Sequence, residues 1–220
     1  MSIEKTVFVI TYGRSGSTLL QGVLDSIPGY DIKGENYSTL VPLFRSYRRS
    51  RVTRYQYGKD YCDSKNPWYG SDEIVPDSYA KSLCEVFIKE ILRPKGGARV
   101  TGFKEIRYGG KEFPSSDEAV EYLQFLKKFF PDAKFIFNER DLTATSKSAW
   151  WAKDKEAVDA LNDLLSRMKV MYEAHSDNSV WVKYDEYVED LTKLKPLFDF
   201  LGEEFSEEKL KLVLSKKHSY

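Results

Sequence analysis

Cysteine and histidine are scarce in this chain of 220 residues, which holds two of each. Cys62 and Cys84 form no CxxC pair, so neither a disulfide framework nor a zinc site is expected. Both thiols read as packing residues of a protein kept in a reducing cytosol. Charge of one sign is missing as well. The 34 Lys and Arg balance 34 Asp and Glu, for a formal net charge of zero, so any basic site must be local. Long hydrophobic runs are absent: no stretch approaches the roughly 18 apolar residues of a membrane span. The start, MSIEKTVFVI, sets Glu4 and Lys5 before an apolar run too short for a secretory signal. A cytoplasmic protein is expected. With 41% hydrophobic residues, the chain is long enough for one globular domain with a sizeable core.

Residues 7–10 (VFVI) form a continuous apolar run, the pattern of a strand buried on both faces of a parallel sheet. Similar runs lie at 98–103 (ARVTGF), 133–138 (AKFIFN) and 180–184 (VWVKY). Helical patterns occupy 18–26, 78–93, 117–130, 142–152, 157–174 and 191–201. Strands alternating with helices predict an α/β fold: a P-loop-type, three-layer sandwich with a mostly parallel central sheet flanked by helices. A single domain over 1–220 is expected. Residues 47–76, rich in Arg, Tyr, Asp and Ser, are the least regular stretch and read as an acceptor-side insertion over the binding edge of the sheet.

The first strand leads into Gly13-Arg14-Ser15-Gly16-Ser17-Thr18 and then a helix. In that context the converging backbone N–H groups and the helix N-terminus favour an anion. A loop that grips a nucleoside triphosphate reads G-x-x-x-x-G-K-[ST]. Here Ser17 and Thr18 follow Gly16, the lysine is absent, and Arg14 is the nearest cation. Gly13 precedes Gly16 by three positions instead of five. One arginine with hydroxyls suits an end group of lower charge, such as a sulfuryl on a 5′-phosphate. The same residues would also make a plain Gly/Ser turn between strand and helix.

A second anion motif lies in FIFNERDLTATSKS, residues 135–148. Arg140 falls at the carboxyl end of a strand, where open α/β sheets bind ligands. Ser148 follows about two turns into the predicted 142–152 helix. A guanidinium fork and a hydroxyl suit a phosphate, although an Arg140–Asp141 surface pair would fit the same letters. Two such sites on one sheet imply two separated phosphates, as in a nucleotide with a 3′-phosphate and a 5′-phosphosulfate.

With these motifs in place, the chain resembles the sulfotransferases that use 3′-phosphoadenosine 5′-phosphosulfate (PAPS). GRSGSTLL resembles their 5′-phosphosulfate loop, and Arg140 with Ser148 their 3′-phosphate motif. GFKEIRY at 102–108 and VKYDEYVEDLTKLKPLFDFLG at 182–202 extend the likeness over most of the chain; it is weakest at 47–76. The resemblance implies PAPS as co-substrate, its desulfated form (PAP) as product, and no metal. It implies that Arg14 stabilises the transferring group and the leaving phosphate. Lys104 would contact the bridging oxygen and sulfuryl group, and Tyr184, ending the fourth predicted strand, would meet the adenine.

The proton acceptor must be a carboxylate or a histidine. Neither His175, at a helix end, nor His218, near the C-terminus, follows a predicted strand. Glu35, in GYDIKGENY after a short strand-like piece, falls where the base's carboxylate lies in tyrosylprotein sulfotransferases. Blander readings stand beside these: Glu35 as a helix-start glutamate, Lys104 paired with Glu105, Tyr184 in the core. The chain lacks the histidine base and the late R-K-G-x-x-G-x-W-K segment of the phenol and steroid enzymes, which sets it with the carbohydrate, protein and bacterial branches. Ala152 stands where some relatives place a second arginine, leaving the 3′-phosphate shell incomplete.

Arg45, Arg48, Arg49, Arg51 and Arg54 lie in RSYRRSRVTRY, which has no acid. They suit a basic rim for an anionic acceptor, or simply a solvated helix and loop. No nucleic-acid partner is expected, because no binding module accompanies the patch. Trp150 and Trp151 suit ordinary core before an acceptor platform. The resemblance implies a metal-independent sulfuryl transfer to a hydroxyl on a sugar, a peptide tyrosine or a small alcohol. An atypical small-molecule kinase and a non-catalytic anion-binding module are the alternatives.

Overall fold

The computed structural model of the protein describes residues 3–214. In chain order its elements are β1 (Lys5–Ile10), α1 (Ser17–Asp25), β2 (Tyr30–Lys33), α2 (Val41–Val52), α3 (Pro76–Val86), β3 (Val100–Glu105), α4 (Ser116–Phe129), β4 (Ala133–Glu139), α5 (Leu142–Ser146), α6 (Ala157–Ala174), β5 (Ser179–Lys183), α7 (Tyr184–Glu189), α8 (Lys195–Leu201) and α9 (Glu207–Leu214). They group into two compact units, Met1–Tyr37 with Pro94–Tyr220, and Ser38–Arg93.

The first unit holds a five-stranded sheet in the order β2-β3-β1-β4-β5, with every pairing parallel. Side chains alternate across it. Val7 and Val9 of β1 face a layer with Leu20, Val23 and Leu24 of α1 and Leu197 and Leu201 of α8. Phe8 faces the other way, where Phe103 and Phe130 meet its ring at 5.3 Å and Phe135 at 5.9 Å; α4 and α6 lie on each other and on β4. Helices on both faces explain why β1 reads as an unbroken apolar run. α4 begins at Ser115, whose hydroxyl accepts the Glu118 N–H at 3.2 Å, and it stops before Pro131.

Three expectations change. The piece at Tyr30–Lys33 is a full strand, at one edge of the sheet. The helix expected over 142–152 ends at Ser146, and Trp151–Lys153 makes only a single tight turn. Its hydroxyls bond backward, Thr145 to Asp141 O at 2.8 Å and Ser146 to Thr143 O at 3.0 Å, a competition that shortens helices. Ala149 then takes a left-handed φ of 51°. Ser148 therefore sits in a turn beyond the helix. Tyr184 opens α7 instead of ending a strand.

In the second unit α2 packs on α3, burying Val41, Phe44 and Tyr47 on one helix and Pro76, Ala80 and Cys84 on the other. The Tyr47 hydroxyl donates to Asp77 at 3.0 Å. Both helices continue in wider π-type turns, at Thr53–Tyr57 and Phe87–Leu92. The arginine stretch is thus helical, with Arg48 over the Phe44 ring and Arg51 over Tyr47 one turn back. Cys62 and Cys84 are free thiols and both buried. Burial, helped by the charge of Glu85, pushes the Cys84 thiol up to about 12.

Candidate active site

Because all five strands run parallel, their carboxyl ends share one edge of the sheet. Apart from Ser148, in the turn beyond α5, each expected site residue of the first unit lies at or just after one of those ends. Across the strand order they are Glu35 after β2, Lys104 near the end of β3, residues 13–18 after β1, Arg140 after β4 and Tyr184 after β5.

The loop after β1 is pinned from below by buried polar groups. Thr11 Oγ1 lies 2.6 Å from Ser15 Oγ and 2.7 Å from Asn138 O. Asn138 Nδ2 donates to Ser15 O at 2.9 Å, and the Tyr187 hydroxyl donates to Asn138 Oδ1 at 3.0 Å. Such a chain, satisfied at each step, holds a backbone loop in one shape. Gly16, the N-cap of α1, takes φ 77°, and a Cβ there would fall 2.0 Å from the Tyr184 ring. Only glycine permits both. Helical geometry leaves the Ser17 and Thr18 N–H groups without intrahelical acceptors, so the positive end of α1 opens beside the loop.

Arg14 is not a glycine yet has φ 68°, a strained conformation. Its Nε donates to Ser148 Oγ at 3.1 Å, joining the two anion motifs across 134 residues of sequence. Arg140 Nη1 donates to Arg14 O at 3.0 Å, and its guanidinium stands 4.9 Å from the centre of the Tyr184 ring. Arg140 Nε is buried and has no hydrogen-bond partner. The Arg140 backbone is clamped by Tyr12, whose hydroxyl donates to Arg140 O at 2.6 Å and accepts the Arg140 N–H at 2.9 Å. Burial raises the Tyr12 phenol far above its ordinary value, so it acts only as a neutral bridge. Asp141 caps α5 through the Ala144 N–H, so the alternative Arg140–Asp141 reading gives way to Arg140 facing the loop.

Farther along the edge, Lys104 Nζ donates to Glu35 Oε1 at 2.6 Å. Arg107 Nη1 reaches Glu35 Oε2 at 3.1 Å and Glu105 Oε1 at 2.6 Å. Lys104 thus pairs with Glu35, not with its neighbour Glu105. Trp150 is 53% exposed, against the core placement expected for it, and its ring packs on Gly13. Trp151 Nε1 donates to Gly13 O at 3.0 Å.

His175 precedes β5, at the opposite edge of the sheet. Its Nε2–H donates to Val120 O at 3.1 Å, and desolvation lowers its pKa. His218 lies outside the described residues. Among the described residues, no group of three or more His, Cys, Asp or Glu is arranged to hold a metal ion, and no helix is long and apolar enough to cross a membrane.

The sequence model of the sulfotransferase family matches residues 6–207. The chain belongs to the sulfotransferase family. No curated protein matches this sulfotransferase significantly by sequence. Among solved structures it is similar to the sulfotransferase domain of the olefin synthase from Synechococcus PCC 7002, at 19% identity and a TM-score of 0.52, covering 97% of this chain and 78% of that one. It also matches a sulfotransferase domain from the curacin biosynthetic pathway, at 12% identity and a TM-score of 0.47, covering 99% and 80%. The first of these likenesses is a likeness of fold.

Sequence reading missed the residues that hold the site together: Tyr12, Asn138, Tyr187, Trp151 and Arg107. A polar Asn138 closing the apolar run FIF was the visible signal for one of them.

Proposed function

We propose that this sulfotransferase takes its sulfuryl group from PAPS and passes it, in line and without a metal ion, to a hydroxyl acceptor. The observation that carries the reading is the pairing of Arg14 with Ser148 beside Arg140, whose buried Nε has no partner. A buried guanidinium N–H without an acceptor is costly, and a phosphate oxygen is the acceptor it suits. In this reading Gly13, Arg14, Ser15, Gly16, Ser17 and Thr18 hold the 5′-phosphosulfate through backbone N–H groups and hydroxyls. Arg140 and Ser148 hold the 3′-phosphate, and Tyr184 lies against the adenine.

PAPS supplies the sulfuryl group. An acceptor oxygen–sulfur bond forms as the bond from sulfur to the 5′-phosphate oxygen breaks, and PAP leaves. Glu35 takes the acceptor's proton; its carboxylate, held by two cations, keeps lone pairs for one more donor. Lys104 and Arg14 stabilise the charge that spreads over the sulfuryl and bridging oxygens. Arg14 cannot serve as a proton donor at neutral pH, so the leaving phosphate departs as an anion.

Recognition of the acceptor is assigned to the second unit, with residues 47–76 as the acceptor-side insertion. Arg48, Arg49 and Arg51 are exposed there, and no acid occurs between Arg45 and Arg54. An anionic acceptor follows, on a cytoplasmic protein. The missing loop lysine argues against a kinase, which must neutralise more charge.

The test incubates radiolabelled PAPS, in a chelator, with a panel of sugars, tyrosine peptides and small alcohols. Label passes to one of these classes, and Glu35→Gln slows the transfer by about 10²–10⁴-fold. Undiminished transfer by Glu35→Gln removes the base assignment. Phosphorylation from ATP with Mg²⁺, in place of sulfuryl transfer, removes the whole reading.

A further inference from the structure

Glu105 is a carboxylate at the end of β3 with only 3% of its surface exposed. Burying a charge demands compensation. Its Oε1 accepts the Ile106 N–H at 2.8 Å and Arg107 Nη1 at 2.6 Å. The same Arg107 nitrogen reaches on to Glu35 Oε2. One cation therefore spans two carboxylates, one sunk in the sheet and one at the site. The other face of the guanidinium is covered by the Tyr37 ring, 4.6 Å away, on a residue with a left-handed φ of 58°. Contacts from two segments, residues 35–37 after β2 and Glu105 at the end of β3, leave Arg107 little freedom. Partial burial works against its charge, but the hydrogen bond and charge of Glu105, then those of Glu35, more than offset this, and its pKa lies above the ordinary value.

We infer that Arg107 is a positioning residue for the proposed base: anchored on buried Glu105, it fixes Oε2 of Glu35 and so turns the carboxylate toward the incoming hydroxyl. The inference rests on the reading of Glu35 as the base. Two cations face Glu35, Lys104 from β3 and Arg107 from the segment after it. They hold opposite oxygens, so neither can replace the other. Lys104 neutralises; Arg107 orients. A lysine at 107 would have to hold one ammonium between the two carboxylates on a more flexible stem, without the planar guanidinium that lies over the Tyr37 ring.

Turnover of PAPS by the full chain, with the acceptor found above, tests this. Arg107→Ala lowers kcat by roughly 10–100-fold while KM for PAPS stays within about twofold, and Arg107→Lys restores only part of the rate. If the alanine variant does not fold, Arg107→Gln gives the same readout. An unchanged kcat, or a loss that appears in KM for PAPS instead, overturns the inference in a protein whose Glu35→Gln variant is inactive. Full activity of Glu35→Gln, or no sulfuryl transfer by the wild-type protein, instead overturns the reading of the base beneath it, and the inference falls with it.

Discussion

Tyr12 is the residue on which the second anion motif hangs. Its hydroxyl closes on both backbone groups of Arg140, a buried ring locking the end of β4. Tyr12→Phe strands an N–H and a C=O, a loss of about 1–3 kcal/mol. The melting temperature then falls by roughly 2–12 °C in a chain of this size, and scanning calorimetry measures it; an unchanged melting temperature refutes the clamp. At this scale the charged members of the candidate site could be named from the sequence, as expectations, and the residues packed beneath them could not. Glu35, Lys104 and Arg140 stand beside strand ends, where a charge has little structural reason to be. Tyr12 and Asn138 follow apolar runs and Tyr187 stands among acids, and letters alone do not say that their polar atoms converge on the loop.

The loop from Gly13 to Thr18 was legible as an element because a strand, a glycine turn and a helix follow in order. The reason glycine is needed at 16 was not: a tyrosine 168 positions later lies against it. Gly16→Ala meets both a left-handed φ and the Tyr184 ring. It is expected to lower PAP affinity by at least about tenfold, since one displaced charge-assisted hydrogen bond is worth about 1.5–3 kcal/mol. Titration calorimetry reads this directly, and wild-type affinity in Gly16→Ala contradicts the packing described. The helix after β4 shows the opposite case. Its spacing suggested eleven residues and the fold grants five, because Thr145 and Ser146 turn their hydroxyls onto the backbone. Ser148 still meets Arg14, but from a turn.

At the scale of the molecule, strand order does what no single motif could. Placing β1 between β3 and β4 sets the Arg14 loop between Lys104 and Arg140, and β2 at the far side brings Glu35 to Lys104. The alternation of strands and helices foretold a parallel sheet. Its order and its outer strand β2 come from packing, since four residues make a weak pattern. Stability of the whole carries a mark of His175, which is buried with its Nε2–H on Val120 O. Burial is the main cause that lowers its pKa below the ordinary value of about 6.5, against the pull of that hydrogen bond. As pH falls through about 6.5, the unfolded chain takes up a proton that the folded one resists, so stability is full above that value and is lost below it. The melting temperature should drop between pH 7.5 and 5.5, and His175→Gln should flatten that part of the curve. An equal drop in the variant refutes the assignment.

One edge of the sheet is proposed to hold a nucleotide bearing two separated anionic groups. Calorimetric titration with PAP in a chelator, beside ATP with Mg²⁺, tests it most directly. Micromolar binding of PAP without metal is expected, weakened by roughly ten- to a hundredfold in Arg140→Ala, the equivalent of about 1.5–3 kcal/mol. Preference for ATP with Mg²⁺, or binding of PAP untouched by Arg140→Ala, would contradict it.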